Sequence, residues 1–191
     1  MSNSKLIVVE GPQGAGKTTI TDFIRYSLPY TNLYRLSGTS DDSIEGKAKA
    51  KEMYQDLLNY MKKMENKSIN LLFDRTFFSE ENYCRLGKKH YSFTDVYEGL
   101  VEKFSKLDFE IYYITLYLEN TDEYVNRLKR EDKAISKYSK FNCQNSIDQQ
   151  NVYLEMANEL KNKYPNINVI NIANDKDIEN VKKILKKEIK I

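Results

Sequence analysis

A short stretch near the start of the chain has the residue types and spacing that bind a phosphate group. Residues 11–18 match the pattern Gly-x-x-x-x-Gly-Lys-[Ser/Thr] at every fixed position. Glycine allows backbone conformations that larger residues obstruct, so successive N–H groups can converge on phosphate oxygens. A helix that starts here also favours an anion at its first turn. We therefore expect Lys17 to reach the β- and γ-phosphates of a nucleotide, and the Thr18 hydroxyl to bind Mg²⁺.

The whole loop and the start of the following helix are candidate contacts to this nucleotide. The candidates are Gly11, Gln13, Gly14, Ala15, Gly16, Lys17, Thr18 and Thr19. The alternative is a glycine-rich turn that only joins a strand to a helix. We favour the phosphate site because an apolar, strand-like run at 5–9 precedes the loop and a helical pattern follows it.

A second pair of chemically active residues, Asp74 and Arg75, follows the apolar run 69–73. An aspartate beside a nucleotide can hold Mg²⁺ or its bound water, and an arginine can bind a second anionic group through two parallel hydrogen bonds. The alternative is an ion pair at the end of a strand. We favour a functional pair, because ligands of open parallel sheets bind beyond the carboxyl ends of the strands.

Strand-like and helix-like segments alternate along the chain. The predicted strands are 5–9, 32–36, 69–73, 109–118 and 167–172, and the predicted helices are about 17–28, 43–65, 77–87, 93–106, 121–132, 145–163 and 175–190. This order predicts an α/β fold with a mainly parallel five-stranded sheet and helices on both faces. It places residues 10–18, the Asp74-Arg75 pair and Glu119-Asn120 at one edge of the sheet.

Composition limits the class of protein. The 191 residues suit a single domain, and 30 basic against 28 acidic side chains leave a net charge of only +2. This charge argues against a polynucleotide partner. The chain lacks a signal-peptide layout and an apolar run long enough to span a membrane, so we expect a cytoplasmic protein without a membrane partner.

Two stretches resemble thymidylate kinase, a family of nucleoside monophosphate kinases. Residues 10–19 are similar to that family's Glu-Gly-x-[Asp/Glu]-Gly-x-Gly-Lys-[Ser/Thr]-Thr, and Asp74, Arg75, Ser79 and Tyr83 have the spacing of its second motif. The resemblance implies a three-layer P-loop kinase fold, with ATP and Mg²⁺ as cofactors and dTMP as the first choice of substrate. It also implies a homodimer through helices within 77–106.

The resemblance also assigns roles to individual residues. Catalytic roles fall on Lys17, Asp74, Arg75 and Arg130, metal binding on Thr18 and Asp74, and acceptor binding on Gln13, Arg35, Arg75, Ser79 and Tyr83. Three positions depart from the family pattern. Gln13 replaces an acid that contacts the sugar, Leu36 replaces a glutamate, and Thr76 replaces a tyrosine. These departures leave the identity of the base open.

A run of charged residues extends from Arg127 to Lys140. Most such runs are solvated helix ends. This one occupies the place where related kinases carry a lid that closes over the transferred phosphoryl group, so we expect a lid at about 127–144. Arg127 and Arg130 are three residues apart and share one helix face. We expect Arg127 to contact the donor nucleotide and Arg130 to act in catalysis.

Other functions stay open at this stage. A deoxynucleoside kinase shares the architecture but needs a carboxylate to accept a proton from a neutral hydroxyl. Asp41, Asp42 and Glu45 lie close enough after the second strand to supply one. A monophosphate is already ionised and needs cations instead. A non-catalytic nucleotide-binding protein and a nucleic-acid end kinase are further alternatives.

Overall fold

The computed structural model describes residues 4–130, 143–175 and 177–191, without the side chain of Arg130. Five strands form one sheet in the order β2-β3-β1-β4-β5. Their bounds are β1 (Lys5–Glu10), β2 (Thr31–Arg35), β3 (Asn70–Asp74), β4 (Glu110–Tyr117) and β5 (Ile167–Ala173). Every paired strand runs parallel to its neighbour, which confirms the predicted α/β sheet.

Helices connect the strands, within about two residues of most predicted ends. They are α1 (Lys17–Ser27), α2 (Gly46–Met64), α3 (Phe77–Arg85), α4 (Thr94–Ser105), α5 (Glu123–Arg130), α6 (Cys143–Lys163) and α7 (Ile178–Glu188). Within the described ranges, none of them is both long and apolar enough to cross a bilayer.

The central strand β1 separates two hydrophobic cores. Leu6 and Val8 pack with α2, α3, α4 and α6, whereas Ile7 and Val9 pack with α1 and α7. Alternate side chains of a strand point to opposite faces, and both faces of this strand are covered. All six residues of β1 are therefore buried, and the sheet lies between two layers of helices.

The carboxyl ends of the strands meet at one edge, as predicted. Val9 is paired with Asp74, so the end of β3 lies beside the start of the loop 11–18. The backbone N–H of Asn120, after β4, donates to Asp175 Oδ2, after β5, at 2.7 Å. Parallel pairing thus gathers four connecting segments at the edge where ligands of such sheets bind.

Candidate functional site

The loop 11–18 lies tightly against the ends of two strands. A Cβ atom on Gly11 would be 2.5 Å from the carbonyl oxygen of Leu116, and a Cβ atom on Gly16 would be 2.3 Å from Asn174 Nδ2. Gly16 also has a φ of 87°, which larger residues rarely adopt. Only glycine fits these two positions without strain, so the loop packs closely against both strand ends.

Lys17 holds its ammonium group within the loop. Its Nζ donates to the carbonyl oxygens of Gly11 and Pro12, each at 2.9 Å, and the residue is only 8% exposed. A largely desolvated cation interacts more strongly with a phosphate than an exposed one does. The structure therefore places the Lys17 ammonium group inside the loop, and its role toward a nucleotide stays a prediction.

Two residues from other parts of the chain, Asn174 and Arg127, donate hydrogen bonds to the loop and so brace it. Asn174 Nδ2 donates to Ala15 O at 2.7 Å, and Arg127 donates to Gly14 O at 3.3 Å and to Asn174 O at 2.7 Å. Arg127 is predicted to contact the donor nucleotide, and here it contacts the loop that would hold that nucleotide. Asn174 was not among the predicted site residues. The one feature of the sequence that could have indicated Asn174 is its position as a polar residue directly after the last strand.

The Asp74-Arg75 turn lies next to this loop. Asp74 is 7% exposed, and among the described residues its Oδ1 has no hydrogen-bond partner. Thr18, at the start of α1, is exposed. These oxygens fit Mg²⁺, which proteins bind through one or two carboxylates together with phosphate and water oxygens. The described residues contain no cluster of three or more His, Cys, Asp or Glu that would hold a metal ion alone.

Glu10, at the end of β1, is a fully buried carboxyl group. Its oxygens accept hydrogen bonds from Thr76 N and from Ser79 Oγ, both at 2.7 Å. Burial raises its pKa from 4.5 to about 7, although these bonds and the charges of Arg75 and Lys17 lower it. The sequence motif contains this residue, but its contacts were not predicted. A carboxyl that titrates near neutral pH is a candidate functional group.

The side chain of Arg75 points to the same cluster. Its Nη1 is 3.3 Å from Ser79 Oγ and 3.4 Å from the hydroxyl of Tyr153, and those two hydroxyl oxygens are 2.8 Å apart. Tyr153 is fully buried on α6. The structure thus brings together Arg75 and Ser79, two residues of the same motif, and adds Tyr153 from a distant part of the chain.

A cavity of about 370 Å³ lies beside the loop. Its walls include Gln13, Ser79, Tyr83, Lys88, Lys89 and Gln149. Three predicted acceptor-binding residues, Gln13, Ser79 and Tyr83, therefore line one cavity.

The two predicted arginines are not part of the cavity wall. Arg35 is 45% exposed and pairs with Asp22 at 2.6 Å, with its Nε 3.9 Å from Asp74 Oδ2. Its neighbour along the chain continues the sheet, because the N–H of Leu36 donates to Asp74 O. Arg75 contacts the wall residue Ser79 instead.

Most wall residues of the cavity were not predicted, and two of them, Glu80 and Gln149, have contacts that bear on function. Glu80 accepts hydrogen bonds from the Tyr91 hydroxyl at 2.6 Å and from Thr39 N at 3.3 Å, and it pairs with Lys89 at 3.2 Å. These contacts join α3 to the segments on either side of the cavity. The Oε1 atom of Gln149 is buried and has no partner among the described residues. An unsatisfied buried amide in a cavity wall is a candidate ligand contact.

The predicted lid falls mostly on residues that the structure does not describe. Residues 131–142 lie outside the described ranges, and α5 ends at Arg130, whose side chain is also outside them. The catalytic role of Arg130 therefore stays a prediction. Ser146, four residues after that gap, donates to Gln13 O at 3.0 Å, so α6 returns the chain directly to the phosphate loop.

Solved structures of nucleotide and nucleoside kinases have a similar fold. The chain is similar to thymidylate kinase from Candida albicans (16% identity, TM-score 0.69), over 98% of this chain and 92% of that one. It is similar to the Bacillus subtilis YorR protein, solved in complex with phosphorylated GDP (15% identity, TM-score 0.65), over 97% of this chain and 95% of that one. It is also similar to deoxyadenosine kinase from M. mycoides with bound dCTP (18% identity, TM-score 0.59), over 97% of this chain and 98% of that one.

Sequence identities this low show a shared fold but not a shared substrate. A comparison with curated protein sequences found no match. A family model described as an AAA domain matches residues 2–191, which is nearly the full length. The chain therefore belongs to the AAA domain family, and its fold is that of the P-loop nucleotide and nucleoside kinases.

Proposed function

We propose that this protein transfers the γ-phosphoryl group of ATP to a deoxynucleoside monophosphate, with dTMP as the first candidate. The observation that carries the proposal is the cavity between the phosphate loop and α3. It runs from Gln13 to Tyr83, includes Lys88 and Lys89, and has a volume of about 370 Å³. This volume is within the range of small-molecule sites. The wall carries the ammonium groups of Lys88 and Lys89, which can bind an anionic group, beside the carboxylates of Asp42 and Glu80.

The residues around the loop would position the two substrates. Lys17 binds phosphate oxygens of ATP, and Arg75 binds the phosphate of the acceptor. Phosphoryl transfer depends mainly on such positioning and on neutralising charge in the transition state. Thr18 and Asp74 would hold Mg²⁺, which when bound neutralises charge on the β- and γ-phosphates.

Two of the three carboxylates after β2 favour a phosphate acceptor over a hydroxyl acceptor, and the third, Asp42, lines the cavity. Hydrogen bonds from Lys49 and Ser43 hold the pKa of Asp41 well below its usual range. A backbone hydrogen bond and one from Ser43 lower the pKa of Glu45 as well. A carboxylate with a lowered pKa is a poor general base. These two groups are therefore unsuited to deprotonate a nucleoside hydroxyl.

A deoxynucleoside kinase is the second candidate, because two carboxylate residues, Asp42 and Glu80, line the cavity. Glu80 is 1% exposed and is a wall residue, and the M. mycoides deoxyadenosine kinase shares the fold. Glu80 already accepts hydrogen bonds from Tyr91 and Thr39 and pairs with Lys89. These contacts favour a structural role for Glu80 over a role as base.

A panel of acceptors tests the proposal. ADP formation is measured with ATP, Mg²⁺ and each deoxynucleoside monophosphate, and in parallel with each free deoxynucleoside. We expect turnover with at least one monophosphate, and fastest with dTMP. Turnover with nucleosides alone would establish the second candidate instead. A lack of ADP formation with every acceptor would overturn both candidates.

A further inference from the structure

Glu10 connects the two halves of the candidate site. It is the last residue of β1, directly before the phosphate loop, and it is 0% exposed. Its carboxyl group accepts from Thr76 N and Ser79 Oγ, which belong to the turn and helix after β3. A single buried carboxyl therefore links the donor side of the site to the acceptor side.

The turn that Glu10 holds is strained at Arg75. Arg75 has a φ of 74°, in the left-handed region that residues other than glycine seldom adopt. Such a conformation persists only where surrounding contacts fix it. Here the N–H of Arg75 donates to Val9 O at 3.1 Å and the next N–H, of Thr76, donates to Glu10. Two consecutive N–H groups of the turn are therefore fixed by hydrogen bonds to the end of β1.

The hydroxyl of Ser79 transmits the charge state of Glu10 to Arg75. Ser79 has one proton and two lone pairs. When it donates the proton to ionised Glu10, both lone pairs are available to Arg75 Nη1 and to the Tyr153 hydroxyl, at 3.3 and 2.8 Å. A protonated Glu10 would donate to Ser79 instead, and the Ser79 proton would turn to the Tyr153 hydroxyl. Ser79 would then be a weaker acceptor for Arg75, because a hydroxyl that donates to a carboxylate is more strongly polarised than one that accepts from a neutral carboxyl group.

We propose that ionised Glu10 is a positioning residue, which orients the Arg75 guanidinium toward the phosphate of the acceptor. This role rests on the proposed function, because it requires an acceptor that carries a phosphate. Glu10 itself touches neither substrate and acts through Ser79.

The surroundings of Glu10 make its ionisation sensitive to pH near neutrality. The titratable groups that interact with it electrostatically are Lys17 of α1, Arg75, Tyr54 of α2, Tyr97 of α4, Tyr113 of β4 and Tyr153 of α6. Burial raises the pKa of all four tyrosines above 10, so they stay neutral where Glu10 titrates. The pKa of Glu10 is about 7. We therefore expect acceptor affinity to improve as pH rises through this value.

The test compares wild type with Glu10→Gln, which keeps the size of the side chain but cannot ionise. KM for the best monophosphate and KM for ATP are measured from about pH 6 to pH 9. We expect the wild-type KM for the acceptor to fall about tenfold as pH rises through 7. The acceptor phosphate also ionises near this pH, but it changes KM equally in both proteins, so the expected fall is the part that only wild type shows. Glu10→Gln should lack this step, with KM for ATP little changed.

Two further variants separate positioning from general damage. Ser79→Ala removes the link to Arg75 but keeps the bond between Glu10 and Thr76, so it should also lose the step even if Glu10→Gln folds poorly. Glu155→Gln, an exposed change on α6, should retain it. A step that persists in both Glu10→Gln and Ser79→Ala overturns the positioning role but leaves the proposed kinase function intact. If wild type accepts only nucleosides, or no acceptor, both proposals fail.

Discussion

Lys17 and Glu10 show how the fold changes the behaviour of single charged residues. Both lie within one strand-and-loop segment, and both are removed from water, at 8% and 0% exposure. Lys17 is stabilised by two carbonyl oxygens, and Glu10 by a backbone N–H and a hydroxyl. A buried charge needs such partners, since desolvation is otherwise costly. The two residues therefore offer the clearest tests at this scale.

Lys17→Met should abolish phosphoryl transfer without unfolding the protein. The variant removes the cation that we place on the β- and γ-phosphates, and loss of one such stabilising group typically lowers turnover by about 100-fold or more. Steady-state ADP formation measures the effect. Lys51→Met changes an exposed residue of α2 and should leave turnover unchanged. A Lys17→Met enzyme within a few-fold of wild type would contradict the assignment.

Glu10 should make stability depend on pH. Its folded pKa of about 7 exceeds its ordinary value of 4.5, so between these values the unfolded chain ionises more readily. The contribution of Glu10 to the free energy of unfolding is fully favourable below pH 4.5 and is lost as pH rises through 7. The loss corresponds to about 3 kcal/mol.

Urea unfolding measures this effect as a difference between two proteins. We expect the stability of wild type relative to Glu10→Gln to fall between pH 4.5 and about pH 8. The exposed change Glu155→Gln should produce no comparable trend. A difference that stays constant over this range would show that Glu10 does not titrate there.

At the scale of elements, the site depends on the segments that follow the strands. The loop after β1 holds Lys17, the turn after β3 holds Asp74 and Arg75, and the segment after β5 braces the loop through Asn174. Connecting segments on a rigid sheet commonly carry function. Hydrogen bonds from other segments therefore help to fix the conformation of the phosphate loop.

Asn174→Ala should weaken ATP binding although Asn174 is outside the P-loop motif. The variant removes the 2.7 Å hydrogen bond to Ala15 O. Loss of a buried hydrogen bond costs about 1 to 2 kcal/mol, so we expect affinity to fall roughly tenfold in calorimetric titration. Asn180→Ala, on the exposed surface of α7, is the matched control. Equal affinities for the two variants would show that the loop needs no brace.

The lid prediction can be tested at the end of α5. If Arg130 stabilises the transition state, Arg130→Ala should lower kcat at least tenfold with little change in KM for ATP. Lys129→Ala removes the neighbouring positive charge, which is exposed, and should have little effect. An unchanged kcat in Arg130→Ala would identify the charged run as a solvated helix end.

For the whole molecule, the shared sheet couples two hydrophobic cores. The side chains of β1 enter both, and the larger core contains a cluster of aromatic rings around Phe78, which is 4.5 Å from Phe77 and 4.6 Å from Tyr113 between ring centroids. One core cannot be lost without exposing the strand that supports the other. This arrangement favours the single domain that chain length suggested.

Unfolding should therefore be one cooperative transition, and Phe78→Ala should lower stability by about 3 to 5 kcal/mol. Urea unfolding is followed by circular dichroism and by tyrosine fluorescence, and the two curves should coincide. Tyr26→Ala removes an aromatic ring that is 84% exposed and should change stability by less than about 0.5 kcal/mol. Two separate transitions would contradict the single-domain prediction.

Local patterns predicted much of the fold and part of the site. The five strands follow from short apolar runs, and the phosphate loop from its glycines and lysine. Gln13, Ser79 and Tyr83 were placed by motif spacing, and they line one cavity. Arg35 was placed by the same reasoning, yet it pairs with Asp22 outside that wall. Nothing in the local sequence distinguishes an arginine that faces a ligand from one that faces a neighbouring acid.

The sequence by itself determined the phosphate loop, because that loop depends on residues close along the chain. It indicated the parallel sheet through the alternating strand and helix patterns, which are also local. Only the tertiary structure decided that Asn174 donates to Ala15, which is 159 residues away. It likewise decided that Tyr153 contacts Ser79 and Arg75, which are 74 and 78 residues away. It also decided the pKa of Glu10, because desolvation depends on what the whole fold packs around a group. Contacts and burial of this kind have no local pattern, since they arise only when distant segments meet.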